Sequence, residues 1–342
     1  MSKRSPEVVK ISSPGDLVLA VSQMLGFTPT DSIVTLCTHG RRRRFGLTLR
    51  FDLEVGCVPD QLAAVLETRV RHQKADGVFV VIFGDGPVLD GVLPYREVAD
   101  EVAARMGDLM LDVLLVADQR WWSYLCQDAG CCGPGGTPID DQSSGATAIA
   151  AAYAFAGQVV LPDREALVAS VAFDSDPGGA RAAVEAALAR QSRQGEPARV
   201  LAVRTLVERL IRAGSDPRTA VTDGDAAELA AFCHDVIVRD EVLVQAIEPE
   251  PREVLLRVLR DAVRRVPPPY DAPICATLAW VAYATGDGAL ANVALDRVFA
   301  TDPDYSLGLL IFDSLNAQVP PTMLEQVMRE AGRDLRRRSA AG

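Results

Sequence analysis

The chain has 342 residues, 49% of them hydrophobic and 24% charged, with 46 acidic against 35 basic side chains and a formal net charge of −11. That length accommodates two domains of ordinary size. The negative balance argues against non-specific attraction to nucleic acid or to an anionic membrane surface, because whole-molecule repulsion opposes both.

No apolar run reaches the roughly 18 residues of a membrane span, and residues 1–16 lack the apolar core of a signal peptide. The seven cysteines are odd in number and follow no repeating spacing. A reduced, cytoplasmic protein that does not enter the membrane is the expectation.

Ser13-Pro14-Gly15-Asp16 reads as a helix start: Ser13 caps, Pro14 suits the first helical position, and Asp16 suits the positive end of the dipole. Leu17, Val18, Val21, Met24 and Leu25 then recur at helical spacing, and Gly26 ends the run. Strands follow at Ser32–Cys37 and Phe45–Leu53. His39-Gly40 and Arg41–Arg44 lie between them, so the pair reads as a hairpin with a solvated basic tip. Pro59–His72 is amphipathic. Asp76–Gly84 is apolar on both faces and reads as a central strand. Pro94–Met106 is the next helix and Leu109–Ala117 another apolar strand. Strand–helix–strand–helix–strand implies parallel neighbours joined by right-handed crossovers. The first part is therefore predicted to be an α/β domain over residues 1–139. Its mixed sheet has about four strands with parallel βαβ units, the hairpin supplying its one antiparallel pair.

Asp118–Asp141 is the most unusual stretch. It holds two of the three tryptophans and three of the seven cysteines beside a Gly/Pro cluster. Beyond it the pattern is helical: Ser143–Ala156, Asp163–Val171, Gly178–Arg193, Pro197–Ala213, Asp223–Val238 and Arg252–Val266. Turn chemistry at 174–179 and 214–217 separates some of these. Pro267-Pro268-Pro269 then stiffens the link to Ile274–Thr285 and Ala289–Ala300, a pair that looks like one tetratricopeptide-type hairpin without a second copy. An all-helical domain over 140–342 is predicted.

Two stretches together carry a resemblance. One is Ile11–Leu17 (ISSPGDL) followed by Leu25–Val34 (LGFTPTDSIV). The other is Arg120–Cys126 (RWWSYLC), then Cys131-Cys132 and Gly136-Thr137-Pro138. With Gly286–Ala291 (GDGALA), they resemble an actinobacterial family known only as domain of unknown function 4192. Members of that family usually have proline directly after the paired cysteines; here Gly133 precedes Pro134. The resemblance implies no reaction and assigns no catalytic residue.

Three constellations are candidates for chemistry. Cys126, Cys131 and Cys132 allow a metal site or a reversible disulfide. They lack a second cysteine pair and a nearby histidine, since His39, His72 and His234 are distant in sequence; buried apolar packing is the plainer reading. Trp121 and Trp122, adjacent on an extended segment, point to opposite faces, one into the core and one free to cover a ligand. Asp85, after one apolar strand, and Asp118 and Arg120, after the next, lie at the strand ends where open α/β sheets bind ligands. Neither G-x-G-x-x-G nor G-x-x-x-x-G-K-[ST] occurs, and no pattern identifies a cofactor. Two functions are compatible with these residues. One is a non-catalytic binding or scaffold protein, meeting a protein partner through the helical domain. The other is an enzyme acting on a small polar substrate at the carboxyl ends of the parallel strands.

Overall fold

A computed structural model describes residues 10–53, 57–84, 92–128, 133, 135–155, 159–214, 216 and 219–341, the side chains of 155, 331 and 333–341 excepted. The chain divides into two compact units, Met1–Arg164 and Glu165–Gly342.

The first unit opens with α1 (Pro14–Leu25), started as its sequence dictates. Ser13 Oγ accepts from Asp16 N at 3.1 Å, while the Asp16 carboxylate accepts from Ser12 N and Ser13 N at 3.1 and 3.2 Å. This reciprocal box satisfies donors that a helix start otherwise leaves open. At the other end Gly26 adopts φ +74°, the left-handed conformation that glycine takes without strain. The hairpin β1 (Ser32–His39) and β2 (Arg44–Asp52) follows, its Arg41–Arg44 tip exposed. Then come α2 (Pro59–His72), β3 (Gly77–Phe83), α3 (Arg96–Met106), β4 (Met110–Ala117), β5 (Arg120–Ser123), β6 (Thr137–Pro138) and α4 (Ser144–Phe155).

The six strands form one sheet in the order β2-β1-β3-β4-β5-β6. The expectation of about four strands is corrected by β5 and β6, which lie inside the Trp/Cys stretch and are too short to announce themselves by alternation. The expected antiparallel content is corrected as well. Only β3 and β4 are parallel neighbours; β1 pairs antiparallel with both β2 and β3. The crossover from β2 through α2 to β3 does return the chain in the same direction. It leaves β1 between the two strands, buried on both faces.

Strand alternation sends side chains to two opposite faces. On one face Ile33, Val80, Ile82, Val113, Leu115 and Trp122 form a core with Leu66 and Val70 of α2 and Val98 and Val102 of α3. The other face carries Val34, Leu36, Val81 and Leu114, all fully buried. Helix α1 runs across it: Gly15 lies beside Trp121 of β5 at one end, and Met24 Sδ accepts from Thr48 Oγ1 of β2 at the other. Helix α4 packs on α1, and a parallel bridge between Phe27 and Leu161 closes this layer.

The second unit is helical: α5 (Arg164–Ala169), α6 (Pro177–Gln191), α7 (Glu196–Gly214), α8 (Asp223–Cys233), α9 (Val236–Gln245), α10 (Pro249–Val263), α11 (Ala272–Thr285), α12 (Gly288–Thr301), α13 (Ser306–Asn316) and α14 (Pro321–Ala341). The single helix expected over Asp223–Val238 is divided in two. Asp235 turns its carboxylate onto Ile237 N and Val238 N, at 3.0 and 3.3 Å, and so starts a new helix. Helices α11 and α12 form a hairpin at the predicted place, with Gly286 at φ +85° ending one and Asp287 capping the next. Among the described residues, no helix is long and apolar enough to cross a membrane.

Two arginines organise this unit. Arg297 donates to the carbonyls of Val171, Val263 and Val266 and to the carboxylate of Asp271, which has no exposed surface. Arg252 donates to the carbonyls of Ala246, Ile247 and Ala284 and pairs with Glu325 at 2.7 Å. Each guanidinium thereby satisfies carbonyls that helix C-termini leave without partners.

Candidate ligand-binding site

Helix starts and a hairpin place the first unit's most distinctive side chains together. Asp118 and Gln119 have φ of +48° and +59° and link Ala117 to Arg120, the opposed ends of β4 and β5. Positive φ at both central residues is the signature of a type I′ turn, whose twist matches the strands it joins. The turn sets Val116 opposite Trp121 and Leu115 opposite Trp122, so the two indoles face opposite sides of the sheet. Both are buried, at 6% exposure each. Trp122 belongs to the α2/α3 core, and Gly136 lies against its ring, where a Cβ would stand 2.7 Å from Nε1.

Trp121 lies on the α1/α4 face and lines a cavity of about 310 Å³. Ser12, Ser13, Gly15 and Asp16 of the α1 start form one wall, Ser143–Gly145 of the α4 start another, and Thr137, Pro138 and Asp140 a third. Ser143 Oγ accepts from Ala146 N at 3.0 Å and caps α4. The two helix N-termini bring partial positive charge, and the Asp16 and Asp140 carboxylates bring negative charge. Asp16 is committed to its own cap, and Asp140 Oδ1 accepts from Gln142 N at 3.0 Å. The cavity is therefore small and rich in hydroxyls, and each of its carboxylates is already engaged by backbone donors.

A second polar cluster lies on the same face. Asp112 Oδ1 accepts from Val113 N at 2.8 Å and from Ser123 Oγ at 2.6 Å. Ser123 Oγ in turn accepts from Leu125 N and Cys126 N at 3.2 and 3.0 Å, which shapes the chain as it leaves β5. Burial raises the Asp112 carboxyl above the ordinary aspartate range.

The predicted site residues are thus distributed. Trp121 lines the cavity and Trp122 packs in the core. Asp118 is exposed in the turn. Arg120 donates from Nη1 to the carbonyls of Gly135 and Gly136, at 2.8 and 2.9 Å, and fastens the glycine loop to β5. Cys126 is a half-buried free thiol, its Sγ 4.0 Å from the Asp128 carbonyl. Asp85, Cys131 and Cys132 lie outside the described residues. Among the described residues, no three histidine, cysteine or acidic side chains are grouped to hold a metal ion. Ser13 is legible from sequence as a cap, but nothing local shows that the second serine-rich start, 130 residues on, shares its cavity.

A family model described as Domain of unknown function (DUF4192) matches residues 14–322. No curated protein and no solved structure matches the chain.

Proposed function

We propose, for a chain that belongs to the family described as Domain of unknown function (DUF4192), a non-catalytic role in which the first unit binds a small, polar, uncharged molecule in the Trp121 cavity. The observation that carries this reading is the composition of that cavity: hydroxyls, helix-start N–H groups and one indole around about 310 Å³. That volume is at the lower end of the range for small-molecule sites. Its two carboxylates are engaged by backbone donors, which suits fixed recognition better than proton transfer.

The test is a thermal-shift screen of the full-length protein against neutral polyols, sugars and amides, repeated on Ser144→Phe. Ser144 is exposed and is not the residue that caps α4, so a ring there fills the cavity without removing a helix cap. The expected result is a compound that stabilises the wild type, by about 2.7 kcal/mol at a hundredfold excess over Kd, leaves Ser144→Phe unmoved, and is recovered unchanged. Equal stabilisation of both proteins would overturn the site. Chemical conversion of the compound would replace binding by catalysis.

A further inference from the structure

The helical unit carries a shallow, open depression of about 350 Å³, lined by Ser170, Arg257, Arg260, Asp261 and Arg264. Its arginines follow the helical repeat: positions 257, 260 and 264 are spaced i, i+3, i+7, so α10 and its C-cap residue present them on one face.

Their existing partners decide what the depression offers. Arg264 is spoken for: it pairs with Asp174 at 2.5 Å. Asp261, the one carboxylate in the lining, has both oxygens engaged. Oδ1 pairs with Arg265, and Oδ2 accepts from Val221 N at 2.6 Å. Among the described residues, Arg260 donates from Nη2 to Ser170 Oγ at 2.9 Å and to no other group. Arg257 donates, among the described residues, to the carbonyls of Glu253 at 3.4 Å and Gly214 at 3.1 Å. Among the described residues, neither Arg257 nor Arg260 has a carboxylate within ion-pair distance. Asp287 acts on Arg260 only through its field.

Pinning the end of α5 to α10 accounts for the Arg264–Asp174 pair and for one of the five N–H groups of Arg260. It leaves the rest of that guanidinium, and the charge of Arg257, unmatched in a protein whose net charge is −11. Burial and the neighbouring Arg264 both disfavour the charged form of Arg260, and a bound anion would relieve that crowding. A planar fork of donors matches the oxygens of a phosphoryl group.

We propose that Arg257, Arg260 and Ser170, with Arg264 at the rim, form a binding site for a small phosphate monoester in the helical unit. The phosphoryl oxygens take the free N–H groups of Arg257 and Arg260, and the rest of the depression takes the organic part. The site is independent of the Trp121 cavity, which draws on other residues entirely.

Isothermal titration of the full-length protein at low salt tests this, with inorganic phosphate and glycerol 3-phosphate as probes. The expected result is saturable one-to-one binding, tighter for the monoester and weakened by added chloride. Arg257→Gln, at an exposed position, should weaken binding about tenfold or more while leaving the melting temperature in place. Arg260→Gln should do at least as much. Replacing Arg41–Arg44 with serine, which removes positive charge elsewhere, should leave binding unchanged. Absence of saturable binding to the wild type would overturn the proposal. So would equal affinity in Arg257→Gln, or an equal loss in the Arg41–Arg44 variant, which would mark the binding as non-specific attraction.

Discussion

Gly145, near the start of α4, lies directly against the carboxylate of Asp16 in α1: a Cβ at position 145 would come within 2.7 Å of Asp16 Cγ. The carboxylate cannot swing away freely, since two backbone N–H groups hold it. One aspartate thus starts one helix and sets how closely the other approaches. Gly145→Ala should therefore lower stability by about 1–3 kcal/mol through overpacking, and Asp16→Ala by about 1 kcal/mol through the lost cap. Because the second change clears room for the first, the double variant should cost less than the sum. Denaturant unfolding of the four proteins measures that coupling; strict additivity would mean the two residues do not interact.

The Arg297–Asp271 pair gives a larger effect in the helical unit. Arg297→Met would strand a fully buried carboxylate and free the carbonyls of Val171, Val263 and Val266. A loss of about 3–5 kcal/mol is expected. Arg297→Lys should rescue little of it, since a single ammonium does not reproduce the fork that reaches four acceptors. Chemical denaturation reads both, and near-wild-type stability of the lysine variant would contradict the fork.

Asp112 predicts a pH dependence of defined sign. Its folded carboxyl titrates above the unfolded value because burial disfavours the anion. As pH rises from the unfolded value through the raised folded one, the unfolded chain releases its proton first, and the folded state loses stability relative to it. Asp112→Asn keeps an oxygen for Ser123 and Val113 but has no proton to lose. The difference between the wild-type and variant unfolding free energies should therefore shift against the wild type across that window and level off above it. A difference independent of pH would show that the folded carboxyl titrates no higher than the unfolded one.

Thiol labelling separates the described cysteines by burial. Burial pushes the thiols of Cys37 and Cys233 up to about 11 and that of Cys275 to about 12, and all three are enclosed. The thiolate is the reactive form. Iodoacetamide applied to the folded protein and followed by peptide mass spectrometry should modify Cys126 and Cys57, both half-buried, well before these three. Early modification of Cys275 would mean that the α11 core opens readily.

The sequence exposed the elements whose signals are local. Ser13, Pro14 and Asp16 marked α1, the apolar runs marked β3 and β4, and the tryptophans' assignment to opposite faces followed from alternation alone. What stayed hidden depends on distant pairing. Nothing in Ser32–Cys37 states that it will be flanked antiparallel on both sides, and a two-residue strand such as Thr137-Pro138 exists only because Trp121 and Arg120 are there to pair with it. The cavity was hidden for the same reason, since Ser13 and Ser144 are neighbours only once α4 has packed on α1. Arg120 shows a further role that only pairing reveals: its Nη1 donates to the Gly135 and Gly136 carbonyls.

The bridge at Leu161 bears on the order in which this chain acquires its structure during synthesis. Thr28 N donates to the Leu161 carbonyl and Leu161 N to that of Gly26, so the segment following α1 finds its partner some 130 residues later. Until that point has left the ribosome, the apolar side of the first helix has no α4 to rest on, although every strand of the sheet has already been made. Release of the nascent chain between residues 140 and 161 should leave α1 on the sheet without its α4 neighbour or the Leu161 bridge, a form more exposed to aggregation and to chaperones than the complete unit.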